Sequence, residues 1–116
     1  MGVSDFLRGK AAPDELISKT SENENLFVMP AGPIPSDPSE LILNGRLKSL
    51  INYLETIFDL MIIDTAPALA ITDAYIIGSR CDVNLYVVRH AYTPIIHVQL
   101  VDENTGMYRM KNIGIV

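Results

Sequence analysis

The sequence predicts a single α/β domain, a parallel sheet with helices on both faces. Short apolar runs alternate along the chain with stretches of helical periodicity, and Pro, Gly, Asn and Asp collect between them. The runs "LMIID" (60–64), "VNLYVV" (83–88) and "IGIV" (113–116) are nearly continuous rather than alternating with polar residues. Strands apolar on both faces are buried on both, and strands joined through helices lie parallel. A chain of 116 residues has room for one domain.

Residues 3–9 and 13–19 carry the composition of two short helical pieces, the second opened by Pro13 with acids behind it, as the helix dipole favours. "NLFVMP" (25–30) is predicted as a short buried strand stopped by Pro30, and "AGPIPSDPSE" as an extended loop. The clearest helix follows. Ser36 or Asp37 can cap it, Pro38 suits its first position, and Leu41, Leu47, Leu50, Ile51, Leu54 and Ile57 recur mostly at three- and four-residue steps, with Gly45 weakening it midway. Beyond it come strand 60–64, a helix from about Thr72 to Ser79, strand 83–88, a helix from about Pro94 to Met110 and strand 113–116.

Composition excludes several classes of function. Hydrophobic residues make up 48% and charged residues 20%, ordinary for a packed domain, and no apolar run approaches the roughly 20 residues that span a bilayer. A net charge of −5 and scattered bases argue against a nucleic-acid surface, which needs clustered Lys and Arg. The single cysteine, Cys81, has no internal disulfide partner and is predicted as a small buried filler in a reducing cytoplasm. The N-terminus lacks the apolar core of an export signal.

In open α/β sheets ligands bind beyond the carboxyl ends of the strands, where Asp64, Arg89 and the loop 30–35 fall. Three jobs are open to Asp64 on placement alone. It can hold Mg²⁺ beside a nucleotide triphosphate, accept a phosphoryl group, or cap the turn "DTAP". Asp73 in "AITDAY" has the simpler reading of a first-turn acid, with Thr72 helping to cap. Arg89 can meet a phosphate or pair with an acid. His90 and His97 are seven residues apart, off the spacing that places two ligands on one helix face. Neither G-x-x-x-x-G-K-[ST] nor G-x-G-x-x-G occurs, and no Ser-His-Asp or Cys-His set stands out.

"GVSDFLRGK", "NLFVMPAGPIPSDPSELI", "FDLMIIDTAPALAITDAYIIGSRCDVNLYVVR" and "KNIGIV" together resemble, in order and spacing, the second half of the cytoplasmic ATPase domain of bacterial tyrosine kinases, the BY-kinases of capsule and exopolysaccharide synthesis and export. The most specific stretch is "PAGPIPSDPSEL", similar to the family's "PAGPxPPNPSELL". The resemblance implies a P-loop NTPase-like fold of deviant Walker type. It makes Asp64 the Walker B acid and catalytic carboxylate, binding Mg²⁺ through water. It makes Thr65, Pro67 and Asp73 its companions at the nucleotide. Ala66 and Asp37 depart from the family's usual Pro and Asn, at positions that supply no metal carboxylate.

In that family the Walker A loop lies upstream of the segment matching Gly2–Asp5. A tail of clustered tyrosines lies downstream, whereas Tyr53, Tyr75, Tyr86, Tyr92 and Tyr108 are scattered. Residues 1–116 are therefore expected to be a truncated, partial domain, the Walker B half. Mg²⁺ and ATP belong to the complete domain, and these residues are not expected to hold either tightly. The implied role is that of a fragment of an ATP-dependent protein-tyrosine autokinase at the inner face of the bacterial membrane. Its expected partners are a membrane-embedded polysaccharide co-polymerase region or chain and a second copy of itself, with no nucleic acid. The alternatives are a catalytically inactive partner module of a polysaccharide export complex and a receiver-like phosphoacceptor domain. A receiver needs a paired-acid strand near the N-terminus and a lysine ending a late strand, and neither is present in the sequence.

Overall fold

The computed structural model describes residues 1–66 and 73–116, leaving aside the side chains of residues 38, 39, 102, 104 and 105. The chain forms two compact units, Met1–Ile62 and Ile63–Val116.

The first unit is built on α1 (Val3–Leu7), α2 (Pro38–Leu43) and α3 (Arg46–Glu55), with β1 (Ser18–Lys19) paired antiparallel to β2 (Phe27–Val28). Both ends of α1 are held by distant chain. At its start the Val3 and Ser4 amides donate to the carbonyls of Pro30 and Ala31, each at 2.9 Å, and the Asp5 carboxylate accepts from the Gly2 amide at 2.8 Å. These bonds satisfy the amides that a helix N-terminus leaves without internal partners. At its end the Arg46 Nε donates to Phe6 O at 2.9 Å, the guanidinium lies 4.9 Å from the centre of the Phe6 ring, and Asn44 Nδ2 donates to Leu7 O at 3.2 Å. A cation at the carboxyl end of a helix complements its dipole. Phe6, Leu7, Leu16, Leu47, Leu50 and Ile51 close over one another as the buried core.

Three sequence expectations change in this unit. The second helical piece, 13–19, shrinks to a single 3-10 turn, Pro13–Glu15, because Ser18 and Lys19 pair with Val28 and Phe27 instead. The strand in "NLFVMP" forms but is not buried, since Leu26, Phe27 and Val28 are all exposed, and Phe27 meets Phe58 with ring centres 5.2 Å apart. The long helix from Pro38 is two helices. Gly45 sits at φ +81°, the left-handed conformation in which helices commonly end, and this conformation separates α2 from α3. Asp37 occupies the cap position of α2 without a capping bond from its side chain, and Pro38 takes the first turn as predicted.

The second unit contains α4 (Asp73–Gly78), β3 (Asn84–Tyr86), α5 (Ile95–Tyr108) and β4 (Ile113–Ile115). β3 and β4 are parallel, pairing Asn84 with Ile113, Leu85 with Gly114 and Tyr86 with Ile115. Tyr75 stacks on Tyr108 with ring centres 5.2 Å apart, and Val101 is buried beside this helix pair. Asn84 Nδ2 ties the strand to both neighbours, donating to Gly78 O at 3.1 Å and Lys111 O at 2.9 Å. The predicted parallel, helix-connected arrangement is thus present, with β3 three residues and β4 one residue shorter than the apolar runs suggested. Cys81 is half-buried rather than buried, its thiol pointing at Ile77 O, 3.5 Å away.

Two glycines distinguish steric from conformational need. Gly2 is extended, but a Cβ there would collide with the Gly32 amide nitrogen and the Pro30 carbonyl and lie 2.6 Å from Gly32 Cα. At Gly45 a Cβ meets nothing within 4 Å, and only the left-handed backbone resists substitution. Gly45→Ala is expected to cost about 1 kcal/mol, the strain of a left-handed alanine, and Gly2→Ala about 1–3 kcal/mol by displacing α1 from the loop. Urea unfolding of the two variants checks the order.

Candidate functional site

The predicted site residues all lie in the second unit. Asp64 and Thr65 are adjacent and exposed on an irregular segment, 60–66, that precedes the undescribed residues 67–72. Asp73 opens α4 as its first-turn acid and is half-buried. Pro67, and Thr72 as a helper of the α4 cap, fall outside the described residues.

The predicted strand "LMIID" does not form. A strand exists only as one member of a hydrogen-bonded pair, and among the described residues the backbone of 59–65 makes no such bond. Leu60 and Ile62 stay in solvent, at 79% and 85% exposure, while Met61 is half-buried. Asp64 is therefore a bare carboxylate at the end of a bare apolar segment, and among the described residues its side chain has no partner.

The chemistry open to Asp64 follows from its isolation. An unpaired carboxylate beside a hydroxyl offers oxygen donors to a hard cation such as Mg²⁺, which keeps several waters and takes one or two protein carboxylates. Among the described residues no group of three or more His, Cys, Asp or Glu gathers into a metal cage. Asp64 and Thr65 thus offer isolated oxygen donors, and the sequence contains no glycine-rich lysine loop for phosphates.

Other candidate residues have settled elsewhere. Arg89, placed beyond β3, lies with its guanidinium 5.2 Å from the centre of the Tyr92 ring and pairs with no acid among the described residues. His90 is exposed between β3 and α5, and His97 is on α5. In the first unit a depression of about 300 Å³ is lined by Arg8, Ser36, Asp37, Glu40, Leu41 and Asn44, none of them a predicted site residue. One contact the sequence did not signal joins the Tyr53 hydroxyl to the Asp14 carboxylate, 39 residues away. The carboxylate holds the phenol proton and raises the Tyr53 pKa above its ordinary value, with a smaller contribution from burial. Burial, then the neighbouring Asp82 charge, raises the Cys81 thiol.

A parallel strand pair connected through a helix is the outline of an α/β fold. No family model matches the sequence, but individual proteins do. Tyrosine-protein kinase Wzc of Salmonella typhimurium is 38% identical over 98% of the chain. A Klebsiella pneumoniae protein named as a tyrosine-protein kinase in the cps region is 36% identical over 76% of it. The kinase domain of Escherichia coli tyrosine kinase ETK superposes with a TM-score of 0.90 at 30% identity, covering 98% of this chain and 44% of that one. The chain is a homologue of the bacterial tyrosine kinases and matches part of their kinase domain. It spans 15% of the length of Wzc and 12% of the Klebsiella protein. The helical start, with Asp5 bonded to its own N-terminal turn, leaves no paired-acid strand of the receiver kind there.

Because Asp64 is exposed and unpartnered, Asp64→Asn is expected to change unfolding stability by less than about 0.5 kcal/mol, whereas Leu50→Ala in the core is expected to cost about 2–5 kcal/mol. Chemical denaturation of both variants checks the contrast. A raised phenol pKa contributes stability that is fully present below about pH 10 and is lost as pH rises through the folded-state value. Ultraviolet titration of the phenolates is expected to show Tyr53 and Tyr86 ionising late, and Asp14→Asn is expected to return Tyr53 alone towards the ordinary range.

Proposed function

We propose that this chain is the metal-side part of an ATP-dependent protein-tyrosine autokinase of capsular and exopolysaccharide systems. The observation that carries the reading is Asp64, a free carboxylate after an apolar run, in a chain that superposes on a tyrosine-kinase domain. The name of the Klebsiella relative supports the polysaccharide context.

In this reading Asp64 is the Walker B acid and would hold Mg²⁺ through water at the phosphates; Thr65, Pro67 and Asp73 shape the same edge. The cation supplies charge neutralisation along the phosphates as the phosphoryl group moves to a tyrosine hydroxyl. The chain's own share is to place one negative charge and leave it unpaired. Transfer of this kind rests on positioning and electrostatics, and the phosphate-cradling loop supplies most of both. The 116 residues alone are accordingly a non-catalytic part of the kinase.

Localisation and partners follow from the same reading. As part of such a kinase it operates at the cytoplasmic face beside a membrane-embedded polysaccharide co-polymerase region or chain; no described helix is long and apolar enough to cross a membrane. Self-association is the other expected contact.

Isothermal titration of the chain with Mg²⁺·ATP is expected to give a Kd weaker than about 1 mM, and radiolabelled ATP no phosphotyrosine. Fused to the part of the E. coli ETK kinase domain that it does not match, the chain is expected to phosphorylate tyrosine. Asp64→Asn is expected to lower that rate about 10²–10³-fold, the usual loss for a group that stabilises transition-state charge. Tight nucleotide binding by the chain alone, or a fused kinase indifferent to Asp64→Asn, would overturn the assignment. A folded fusion without activity would favour the inactive partner module.

A further inference from the structure

The surroundings of the five tyrosines set one of them apart. Tyr75 is buried, at 4% exposure, and stacks on the half-buried Tyr108. Tyr86 is half-buried within β3. The Tyr53 hydroxyl is already bonded to the Asp14 carboxylate, whose charge would meet any incoming phosphate. Tyr92 is 75% exposed, and among the described residues its hydroxyl has no hydrogen-bond partner.

Tyr92 stands on a turn between β3 and α5 that is closed by its own hydrogen bonds. The Tyr92 and Thr93 amides donate to Arg89 O at 3.1 and 3.0 Å, and the Arg89 amide donates to Thr93 Oγ1 at 2.9 Å. Ala91 sits at φ +56°, the left-handed conformation that an alanine keeps only where its surroundings hold it. The closed turn sets Arg89 beside Tyr92, with the guanidinium over the ring. Arg89 is itself exposed and pairs with no acid among the described residues. Residues 83–101 contain no Asp or Glu, although the chain carries 14, so Arg89 and His90 lie in a stretch without negative side chains. A cation held over a ring at an exposed site is weakly bound, and a guanidinium pairs far better with the paired oxygens of a phosphate.

We propose that Tyr92 is a phosphorylation site and that Arg89 is the partner of its phosphate. The proposal rests on the kinase reading above for its phosphoryl donor and deepens that reading by naming an acceptor in the chain. The Tyr92 oxygen attacks the γ-phosphorus of ATP. The new O–P bond forms as the bond to the β,γ-bridging oxygen breaks, ADP leaves with that electron pair, and the phenol proton passes to a base of the phosphorylating kinase. The product is an anion beside Arg89, which exchanges its contact with the ring for charge-assisted hydrogen bonds and ties the turn more firmly.

The test incubates the 116-residue chain with the E. coli ETK kinase domain and Mg²⁺·ATP and locates phosphotyrosine by peptide mass spectrometry. Tyr92 is expected to carry most of the label on the chain. Tyr92→Phe is expected to remove most of the incorporation, and Tyr53→Phe to leave it unchanged. Titration of the labelled chain by ³¹P resonance is expected to give a second phosphate ionisation below the ordinary value of about 6. Arg89→Gln is expected to raise it by about 0.5 unit or more, which exposure of the tyrosine alone would not do. No label on Tyr92, or label spread evenly over the five tyrosines as an unfolded chain would give, overturns the site. A titration indifferent to Arg89→Gln overturns the part given to Arg89. Because ETK supplies the catalysis, the two ideas fail separately. Labelled Tyr92 with a fused kinase indifferent to Asp64→Asn leaves the site and overturns the kinase reading; an Asp64-dependent fusion with Tyr92 unlabelled does the reverse.

Discussion

A parallel strand is stable when both of its faces are packed, and the form of the second unit follows from how far that requirement is met. In the second unit it is met on one face. Asn84 is bonded to the carbonyls of Gly78 and Lys111, and Tyr86 is buried enough to raise its phenol pKa, with Tyr75 nearby adding to the shift. On the other face Val83, Leu85 and Val87 stand in water. Burying a Leu or Val side chain contributes about 1.5–3 kcal/mol, so several such residues left exposed withhold an amount comparable to the whole stability of a small domain. The first unit escapes this requirement. Its core is helix on helix around Leu47, Leu50 and Ile51, and its strand pair is a short antiparallel ribbon that tolerates exposure.

What was legible in the sequence divides along the same line. Helix identity is local: Pro38 in a first turn, Asp73 opening α4 and the periodic Leu47, Leu50 and Ile51 gave the helices at nearly the right places. The break at Gly45 was visible as a weakness but not as a turn, because a glycine inside a periodic run does not declare its φ until the flanking helices pack. Strand identity is not local. "LMIID" has the composition of a buried strand and remains unpaired, because burial and pairing are properties of a neighbour that a strand's own residues cannot supply. The short pairing of Ser18 and Lys19 with Val28 and Phe27 went unseen for the complementary reason, since two polar residues carry little strand signal and their partner decides the matter.

The carboxylate that ends the apolar run shows how local bonding distinguishes punctuation from function. Asp5 and Asn44 illustrate an acid or amide used as punctuation in this chain: the Asp5 carboxylate accepts from the Gly2 amide at 2.8 Å, and the Asn44 side-chain oxygen from the Arg46 amide at 2.9 Å. Asp64 would need an equivalent donor just beyond itself. The residue three places on, Pro67, has no amide hydrogen, and the Ala66 amide, though described, is not bonded to it. The turn-cap reading therefore lacks the bond that defines it. An exposed carboxylate keeps its hydration and costs the fold nothing, so its position after four apolar residues is one that stability does not demand. In the proposed kinase reading that unclaimed charge is kept for a hard cation, whose chemistry calls for oxygen donors left unpaired.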